Sequence, residues 1–540
     1  MKVRNLTPQQ ESAITYSSNM VITACPGSGK TTVVEEKVRN ILPTIKAHQG
    51  IVAITFTRKA SQELRRRCKR NNYDTKQSFF GTIDKFCLEE LIYPFLSHLW
   101  GKSARECEVV EKLDKEYSEL FLHKQIPKIF DIQADDGFKK LYDKGVLWMS
   151  SFAGLANFIL EGSKSATRYL QAKYTHIFID EYQDSSKEQH KLFLKLVDLG
   201  LIGTAVGDAD QSIYEFRGSS VQYLNSLITD KEKFKFFRID INHRCHPSIS
   251  NYASRVKDPL APIFPVPDTE CRVHRFTLEG NHKQAAKNIS KIITHILNHT
   301  EGLNSSNIAI LAKSNKTLRE VSEGLLVDYR LYVDLDLEKI NTPIARILYD
   351  LLAFYFGKIS TMQEVLDNNS IKNYVSEKES LLSLKQKIKK LKGLEENQLI
   401  QVFEEIITQM RFSNFSQEFE VVTRILADET LKKLFKPISP SEIQVMTLHK
   451  SKGLEFHTVI HVGLEEWVFP YRKVTSDWSP FYPELEQDTN LHYVGITRAQ
   501  ELCILIQTTK RINSNEEEKN AAPSYFLNLP QLSLLYKQHF

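Results

Sequence analysis

A glycine-rich turn near the start of the chain carries the residue types that bind phosphate groups. It lies between the apolar run 21–23 and a helical pattern, and it consists of Ala24, Cys25, Pro26, Gly27, Ser28, Gly29, Lys30, Thr31 and Thr32. The two glycines let successive backbone N–H groups face one concavity, and the N-terminus of the next helix adds partial positive charge. A lysine here reaches the β- and γ-phosphates, and the hydroxyl of Thr31 holds Mg²⁺. The spacing predicts a nucleotide-binding P-loop.

Two acidic residues follow a later apolar run, 174–179. Asp180, at a strand end beside the P-loop, is placed to hold Mg²⁺ directly or through water. Its neighbour Glu181 is placed to polarise the attacking water as a general base. The alternative is a pair of solvated acids after a strand. The P-loop upstream favours the catalytic interpretation.

Three more polar side chains are suited to a nucleotide. The amide of Gln10 could pair with the N6/N7 edge of adenine, and the alternative is an exposed helix glutamine. Gln211 could sense the γ-phosphate. Arg244, which follows the short apolar stretch 237–241, could act as an arginine finger brought from across a cleft.

Aromatic residues offer faces on which unpaired bases can stack. Phe56 lies at the carboxyl end of a predicted strand, where ligands of open α/β sheets gather. Tyr214 and Phe216 could stack bases regardless of base identity, although aromatic side chains are more often packed in a core. The basic amphipathic stretch 384–392 is either a solvated helix face or a contact for DNA or a partner.

The elements that position these residues fall into two similar halves. Apolar runs that end in polar residues predict parallel strands, and they are interrupted by helical periodicity over about 88–172. A second α/β pattern begins near residue 262, gives way to charged helices over about 351–435, and returns to strands at 443. The chain therefore predicts an α/β fold with a helical insertion in each half.

Composition limits the classes of protein. A chain of 540 residues with 41% apolar residues predicts two to four globular domains. A net charge of only +5 means that a nucleic-acid surface must be local. The seven cysteines form no CxxC pair, so neither a zinc site nor an iron–sulfur cluster is indicated. With no apolar leader and no run long enough to span a membrane, we expect a cytoplasmic protein.

Ordered motifs along nearly the whole chain resemble the UvrD/Rep/PcrA group of superfamily 1 helicases. After Gln10 and the P-loop, the matching stretches are TFTRKASQEL (55–64), GTIDKFC (81–87), IDEYQD (179–184), VGDADQSIYEFRG (206–218), NHR (242–244), MTLHKSKGLEF (446–456), GLEEWVFP (463–470) and YVGITRA (493–499). The resemblance implies two RecA-like P-loop domains with parallel sheets, each interrupted by a helical subdomain. The implied ranges are 1–87 and 173–238 for domain 1A, 88–172 for insertion 1B, 239–355 and 436–540 for domain 2A, and 356–435 for insertion 2B.

The same resemblance assigns roles to residues. ATP and Mg²⁺ would bind between the two domains, with Gln10 on adenine and Lys30, Thr31, Asp180 and Glu181 at the phosphates. Three residues would contact the γ-phosphate: Gln211, Arg244 and Arg498. Glu455 would lie near the nucleotide, and four residues would touch single-stranded DNA or couple it to ATP: Phe56, Tyr214, Phe216 and His449.

The implied activity is that of an ATP-driven motor that moves 3′ to 5′ on single-stranded DNA. Several residues depart from the group: His243 replaces an adenine-stacking tyrosine, Arg58 replaces an asparagine, Asp84 replaces a histidine, and residues 489–490 replace an arginine pair. Insertions that are shorter than those of the repair helicases put processive unwinding in doubt.

In these departures and in its length, the chain resembles the helicase-like subunit of Gabija antiphage defence systems. This resemblance implies an OLD-family nuclease as a partner. The alternative is a DNA-sensing ATPase switch that regulates this nuclease without unwinding.

Overall fold

A computed structural model of the protein describes residues 6–539, apart from 70–73, 104–106, 128–129, 214–219, 268–269, 341, 370, 372–374, 376, 413 and 478. Its strands in chain order are β1 (Met20–Ala24), β2 (Gly50–Ile54), β3 (Phe79–Gly81), β4 (Glu108–Val110), β5 (Val146–Trp148), β6 (Tyr174–Ile179), β7 (Ile202–Gly207), β8 (Lys235–Ile239), β9 (Val273–Leu278), β10 (Ile308–Ala312), β11 (Tyr329–Leu331), β12 (Ile443–Thr447), β13 (Phe456–His461), β14 (Lys473–Val474), β15 (Pro480–Phe481), β16 (Ala499–Thr508), β17 (Lys510–Ile512), β18 (Glu518–Asn520) and β19 (Lys537–His539).

Helices form a large part of the remaining chain. They are α1 (Pro8–Thr15), α2 (Lys30–Ile41), α3 (Arg58–Cys68), α4 (Ile83–Phe86), α5 (Tyr93–Trp100), α6 (Gly137–Asp143), α7 (Phe152–Gly162), α8 (Lys164–Lys173), α9 (Lys187–Asp198), α10 (Val221–Thr229), α11 (Pro247–Lys257), α12 (His282–His299), α13 (Asn315–Ser322), α14 (Asp336–Ile340), α15 (Pro343–Tyr355), α16 (Met362–Asn368), α17 (Lys378–Lys390), α18 (Leu399–Gln409), α19 (Ser416–Ala427), α20 (Glu429–Lys433), α21 (Leu448–Ser451) and α22 (Leu485–Ile496). A π-helical turn, Cys87–Ile92, joins α4 to α5.

Two parallel sheets organise the molecule. The first has the order β3-β2-β6-β7-β1-β8, and the second has the order β11-β12-β10-β13-β16-β9-β19. Central strands such as β2 and β10 are buried along their whole length, as expected for parallel strands covered on both faces. The predicted fold class, α/β with two parallel sheets, is confirmed.

The strand order decides which loops meet. In the first sheet β1 lies between β7 and β8, and β6 lies beyond β7. The carboxyl ends of parallel strands share one edge of the sheet, where ligands of this fold class bind. The P-loop after β1, the acids after β6 and the loop after β7 therefore come together.

Two long segments interrupt the sheets. Residues between β3 and β6 are mainly helical, but they also contain the parallel pair β4 and β5, of which the helical periodicity gave no sign. Residues between β11 and β12 fold as helices α14 to α20 around an apolar cluster of their own. Within the described residues, the search for membrane-crossing helices finds none of sufficient length and hydrophobicity.

A buried histidine connects α12, α13 and the segment after β13, which all belong to the part of the chain that contains the second sheet. His282, at the start of α12, has its Nδ1 2.8 Å from Oε2 of Glu320 and its Nε2 3.1 Å from Oε2 of Glu465. Glu465 is fully buried and also accepts hydrogen bonds from Thr508. Burial disfavours the charged imidazole, but the two carboxylates outweigh it and raise the pKa of His282 to about 9.

This pKa predicts a pH-dependent contribution to stability. The raised value means that protonated His282 stabilises the fold fully below pH ~6.5, and that the contribution disappears as the pH rises through about 9. A shift of this size corresponds to about 3 kcal/mol. The thermal unfolding midpoints of wild type and His282→Gln should therefore differ strongly at pH 6 and much less at pH 10. An equal difference at both pH values would contradict the assignment.

Candidate active site

The P-loop forms a tight turn between β1 and α2. Gly27 and Gly29 have φ angles of 71° and 81°, in the left-handed region that favours glycine. A Cβ atom on Gly27 would lie 2.4 Å from Cβ of Arg244 and 2.5 Å from Oδ1 of Asn242. The backbone N of His243 also donates to the Gly27 carbonyl at 3.0 Å. The turn is therefore packed closely against the chain segment 242–244.

Gln10 contacts this turn from the other side. Thr7 and Gln10 form a capping box at the start of α1, which fixes the Gln10 side chain. Its Nε2 donates to the Ser28 carbonyl at 2.8 Å, and the residue is buried. A side chain on Gly29 would collide with the same amide at 2.7 Å. The structure thus places Gln10 against the P-loop rather than on an exposed helix face.

Lys30 is the first residue of α2. Its Nζ donates to the Ala24 carbonyl at 3.0 Å and lies 3.6 Å from Oδ2 of Asp208, in the loop after β7. The Ser28 hydroxyl donates to the Cys25 carbonyl at 2.7 Å. Burial, with a smaller effect of Asp208, raises the pKa of the Cys25 thiol to about 12, so this thiol stays neutral. Lys30 is therefore the main positive charge of the turn.

The two predicted acids lie at the end of β6 and differ in ionisation. Burial, followed by the charge of Glu181, raises the pKa of Asp180. Burial also disfavours ionisation of Glu181, but Lys452 and Lys30 outweigh it and lower the pKa of this carboxyl. Glu181 has a φ of 54°, an uncommon backbone conformation for a residue other than glycine. A left-handed backbone of this kind is typical of functional positions.

Gln183 and Asp208 connect the acids to the next strand, a connection that the sequence analysis missed. Nε2 of Gln183 donates to Oε2 of Glu181 at 2.6 Å, and its Oε1 accepts from the backbone N of Asp208 at 2.9 Å. Nε2 of Gln211 donates to Oδ2 of Asp208 at 2.5 Å. A continuous chain of hydrogen bonds therefore joins Glu181 to Gln211.

Two arginines lie near this chain of hydrogen bonds and the P-loop. Arg498 is 1% exposed, and its Nη2 donates to Oε1 of Gln211 at 3.1 Å. Its other N–H groups donate to the carbonyls of Val494 and Leu454. Burial, then the charge of Arg244, lowers the pKa of Arg498 to about 10, so it is protonated at neutral pH. Arg244 donates to Oε2 of Glu455 at 2.8 Å.

Lys452, which was not predicted as a site residue, makes the closest ionic contact between the two sheets. Its Nζ lies 2.5 Å from Oδ2 of Asp184, 2.8 Å from the Gln211 carbonyl and 3.8 Å from Oε2 of Glu181. The same ammonium lies 6.0 Å from the ring centroid of Phe56. The motif HKSKGLEF contains this lysine, but sequence alone does not show which of its two lysines turns inward.

The structure describes two of the four residues that are predicted to contact DNA. Phe56 is half-buried in the loop after β2, and His449 lies on α21, in the loop after β12. Tyr214 and Phe216 lie outside the described residues. In the basic stretch, Leu384 and Ile388 are buried and Lys387 pairs with a glutamate. These contacts are compatible with a solvated helix face and with a contact for DNA or a partner.

The residues fit a nucleotide with Mg²⁺. The turn leaves no space for a Cβ atom at Gly27 or Gly29, which indicates a backbone cradle. The hydroxyl of Thr31 and the carboxylate of Asp180 are oxygen donors, and Mg²⁺ commonly takes only one or two protein ligands beside water and phosphate oxygens. The described part of the chain has no group of three or more His, Cys, Asp or Glu residues suited to a metal.

Comparisons with known proteins agree with this geometry. Residues 9–217 match a family model described as an AAA domain, and residues 334–510 match the UvrD-like helicase C-terminal domain. The Gabija protein GajB of Bacillus cereus (strain VD045) is 28% identical over 93% of this chain and 95% of its own length.

Two helicases match over still more of the chain. The ATP-dependent DNA helicase PcrA of Staphylococcus epidermidis is 22% identical over 98% of this chain and 87% of its own length. The ATP-dependent DNA helicase Rep of Buchnera aphidicola is 23% identical over 99% of both. The AAA match implies nucleotide binding. The two family models include strands of both sheets: β1, β2, β3, β6 and β7 of the first, and β12, β13 and β16 of the second.

Proposed function

Because the chain belongs to the UvrD-like family of superfamily 1 helicases, we propose that it is an ATP-driven motor that moves 3′ to 5′ on single-stranded DNA. The observation that carries this proposal is the meeting of side chains from both sheets at the P-loop. Arg498 bonds to Gln211 at 3.1 Å, and Arg244 packs against Gly27. Residues supplied from two domains can respond to the γ-phosphate only when the cleft between them is closed.

Each residue has a role in this proposal. Gln10 recognises adenine, the P-loop binds the phosphates, and Thr31 and Asp180 hold Mg²⁺, which supplies charge neutralisation. Glu181, kept ionised by Lys452 and Lys30, accepts a proton from the attacking water. Gln211, Arg244 and Arg498 stabilise the transferring phosphoryl group. Glu455 holds Arg244 at 2.8 Å.

DNA binding is assigned to the faces beside this cleft. Phe56, Tyr214, Phe216 and His449 would hold bases and release them as the cleft opens and closes. The first sheet belongs to the RecA-like domain 1A (1–87 and 173–238), and the second belongs to domain 2A (239–355 and 436–540). Segments 88–172 and 356–435 are their insertions. We place the motor in the cytoplasm, and its cysteines are all free thiols.

A second candidate is a DNA-sensing ATPase switch that regulates an OLD-family nuclease in an antiphage complex. The similarity to the Gabija protein GajB over almost the whole of both chains favours this candidate. The resemblance implies that the insertion 356–435 is shorter than that of the repair helicases, and this also favours the switch, because a shorter insertion has less structure to engage a duplex. Both candidates use the same ATP chemistry and differ in whether strands separate.

The test is ATP turnover with and without single-stranded DNA. DNA should stimulate wild type, and Glu181→Gln should lower the stimulated rate by about 10²–10⁴-fold, the usual contribution of a general base. Glu232→Gln, at an exposed position before β8, is the matched control and should leave the rate unchanged. A strand-displacement assay then separates motor from switch. If DNA does not stimulate wild type, the motor proposal is wrong.

A further inference from the structure

Trp467 is a partly exposed residue in the part of the chain that contains the second sheet, and its backbone conformation is unusual. It follows β13, its φ is 72°, and 45% of the residue is exposed. A positive φ is a genuine outlier for so bulky a side chain. Strained backbone of this kind persists where the surrounding structure imposes it, and it is concentrated at ligand clamps and other functional sites.

Two arginines lie on the indole of Trp467. The guanidinium carbon of Arg472 is 4.6 Å from the ring centroid, and that of Arg511, on β17, is 6.0 Å away. Arg472 is also paired with Glu466. The Nε atoms of both arginines are buried and have no hydrogen-bond partner in the described structure. The cluster thus combines a partly exposed indole with two guanidinium groups, whose buried Nε atoms hold them close to the ring.

This cluster lies on the same sheet edge as a predicted DNA contact. In the second sheet β12, β10, β13 and β16 are successive parallel neighbours, so their carboxyl ends share one edge. His449 follows β12, Lys313 follows β10, Trp467 follows β13, and Arg511 follows β16. Neighbouring strands are about 4.8 Å apart, so the row formed by these four residues extends over roughly 14 Å, from the end of β12 to the end of β16.

Two lysines, Lys313 and Lys473, lie close to the ring of the exposed Tyr471 in the same part of the molecule. Tyr471 is 41% exposed, and its ring lies 5.8 Å from Nζ of Lys313 and 5.6 Å from Nζ of Lys473. Aromatic faces alternating with cationic side chains complement the alternating bases and phosphates of an unpaired strand. They fit a duplex poorly, because its base faces are covered.

We propose that Trp467, Arg472 and Arg511 form a stacking platform for single-stranded DNA, which extends the path of the strand beyond His449. The indole stacks on a base, and the two guanidinium groups bind the adjoining phosphates, for which their planar fork is suited. This inference rests on the proposed function, since it assumes that the strand passes along the carboxyl edge of the second sheet.

The experiment measures binding of a fluorescently labelled oligo(dT) by anisotropy, without nucleotide. Trp467→Ala should weaken binding by about 5- to 150-fold, the range found when a stacking aromatic is removed. Trp467→Gly should do the same, and it keeps the loop intact because its φ suits glycine. Phe481→Ala, which removes another exposed aromatic ring on the nearby β15, is the matched control and should bind like wild type.

Two more readouts separate the platform from a structural role. Arg511→Gln should reduce the slope of log affinity against log salt by about one, as expected for the loss of one phosphate contact. ATP turnover without DNA should be unchanged in the Trp467 variants, because the cation contacts of this ring are with Arg472 and Arg511 and not with a residue of the proposed ATP site.

The possible failures are distinguishable. If wild type does not bind the oligonucleotide, the proposed motor function is wrong. If wild type binds and both Trp467 variants bind as tightly as Phe481→Ala, the platform is wrong while the motor function stands. Loss of binding to a partner protein with unchanged DNA affinity would show that this surface is a protein interface, and it would also overturn the platform.

Discussion

Replacement of Arg498 by lysine is expected to lower DNA-stimulated ATP turnover by about 10³–10⁵-fold, the usual contribution of an arginine finger. Arg498 is buried, protonated at neutral pH, and aimed at Gln211 by bonds to two backbone carbonyls. A lysine keeps the charge but not the planar fork, so it cannot bond to Gln211 and to these carbonyls at once. The charge would then lie in a different position relative to the phosphoryl group.

The measurement is single-turnover ATP hydrolysis at saturating nucleotide and DNA, so that weaker binding does not imitate slower chemistry. Arg238→Lys is the matched control, because Arg238 lies on β8 of the first sheet with a side chain that is 73% exposed. The affinity of Arg498→Lys for a fluorescent nucleotide should stay near that of wild type. A turnover within tenfold of wild type would exclude Arg498 as a finger.

Much of the cleft could be predicted because its chemistry is local in sequence. The turn 24–31 and the acids 180–181 are each a strand end with its own loop, and the rule that parallel strands end at one edge brings them together. Gln10 was predicted for the same reason, since the residues that fix it belong to its own helix.

Contacts between distant segments could not be predicted in this way. Asn490, which was noted only as a departure, donates to the Ser212 carbonyl and so joins α22 to the loop after β7. The strands β4 and β5 pair although 35 residues separate them in the chain. Each is only three residues long, so its pattern of apolar residues does not distinguish it from the helical sequence around it. The positive φ of Trp467 is set by its loop and leaves no trace in residue type. These features depend on which chain segments meet in three dimensions.

Among the contacts between distant segments of the chain, the one made by Lys452 is expected to have the largest effect on stability. Lys452→Met is expected to lower the free energy of unfolding by about 3–5 kcal/mol at pH 8, as is typical when one partner of a buried ion pair is removed. The reason is that the Asp184 side chain is 0% exposed and would lose its only cation within 4.0 Å among the described residues. Burial raises the pKa of Asp184 to about 6 even beside Lys452. The loss should therefore be smaller at pH 5.5, where Asp184 can take up a proton.

A double-mutant cycle isolates this contact. Asp184→Asn removes the charge that Lys452 compensates, so the double variant Lys452→Met/Asp184→Asn should recover about 0.5–3 kcal/mol relative to the sum of the single variants. Lys450→Met is the matched control, since Lys450 pairs with Asp334, whose side chain is 53% exposed, and such a pair contributes about 0–1 kcal/mol. Denaturant unfolding of the four variants measures these differences. If Lys452→Met and Lys450→Met cost the same, Lys452 does not hold the two sheets together, and closure of the cleft must depend on Arg498 and Asn490 instead.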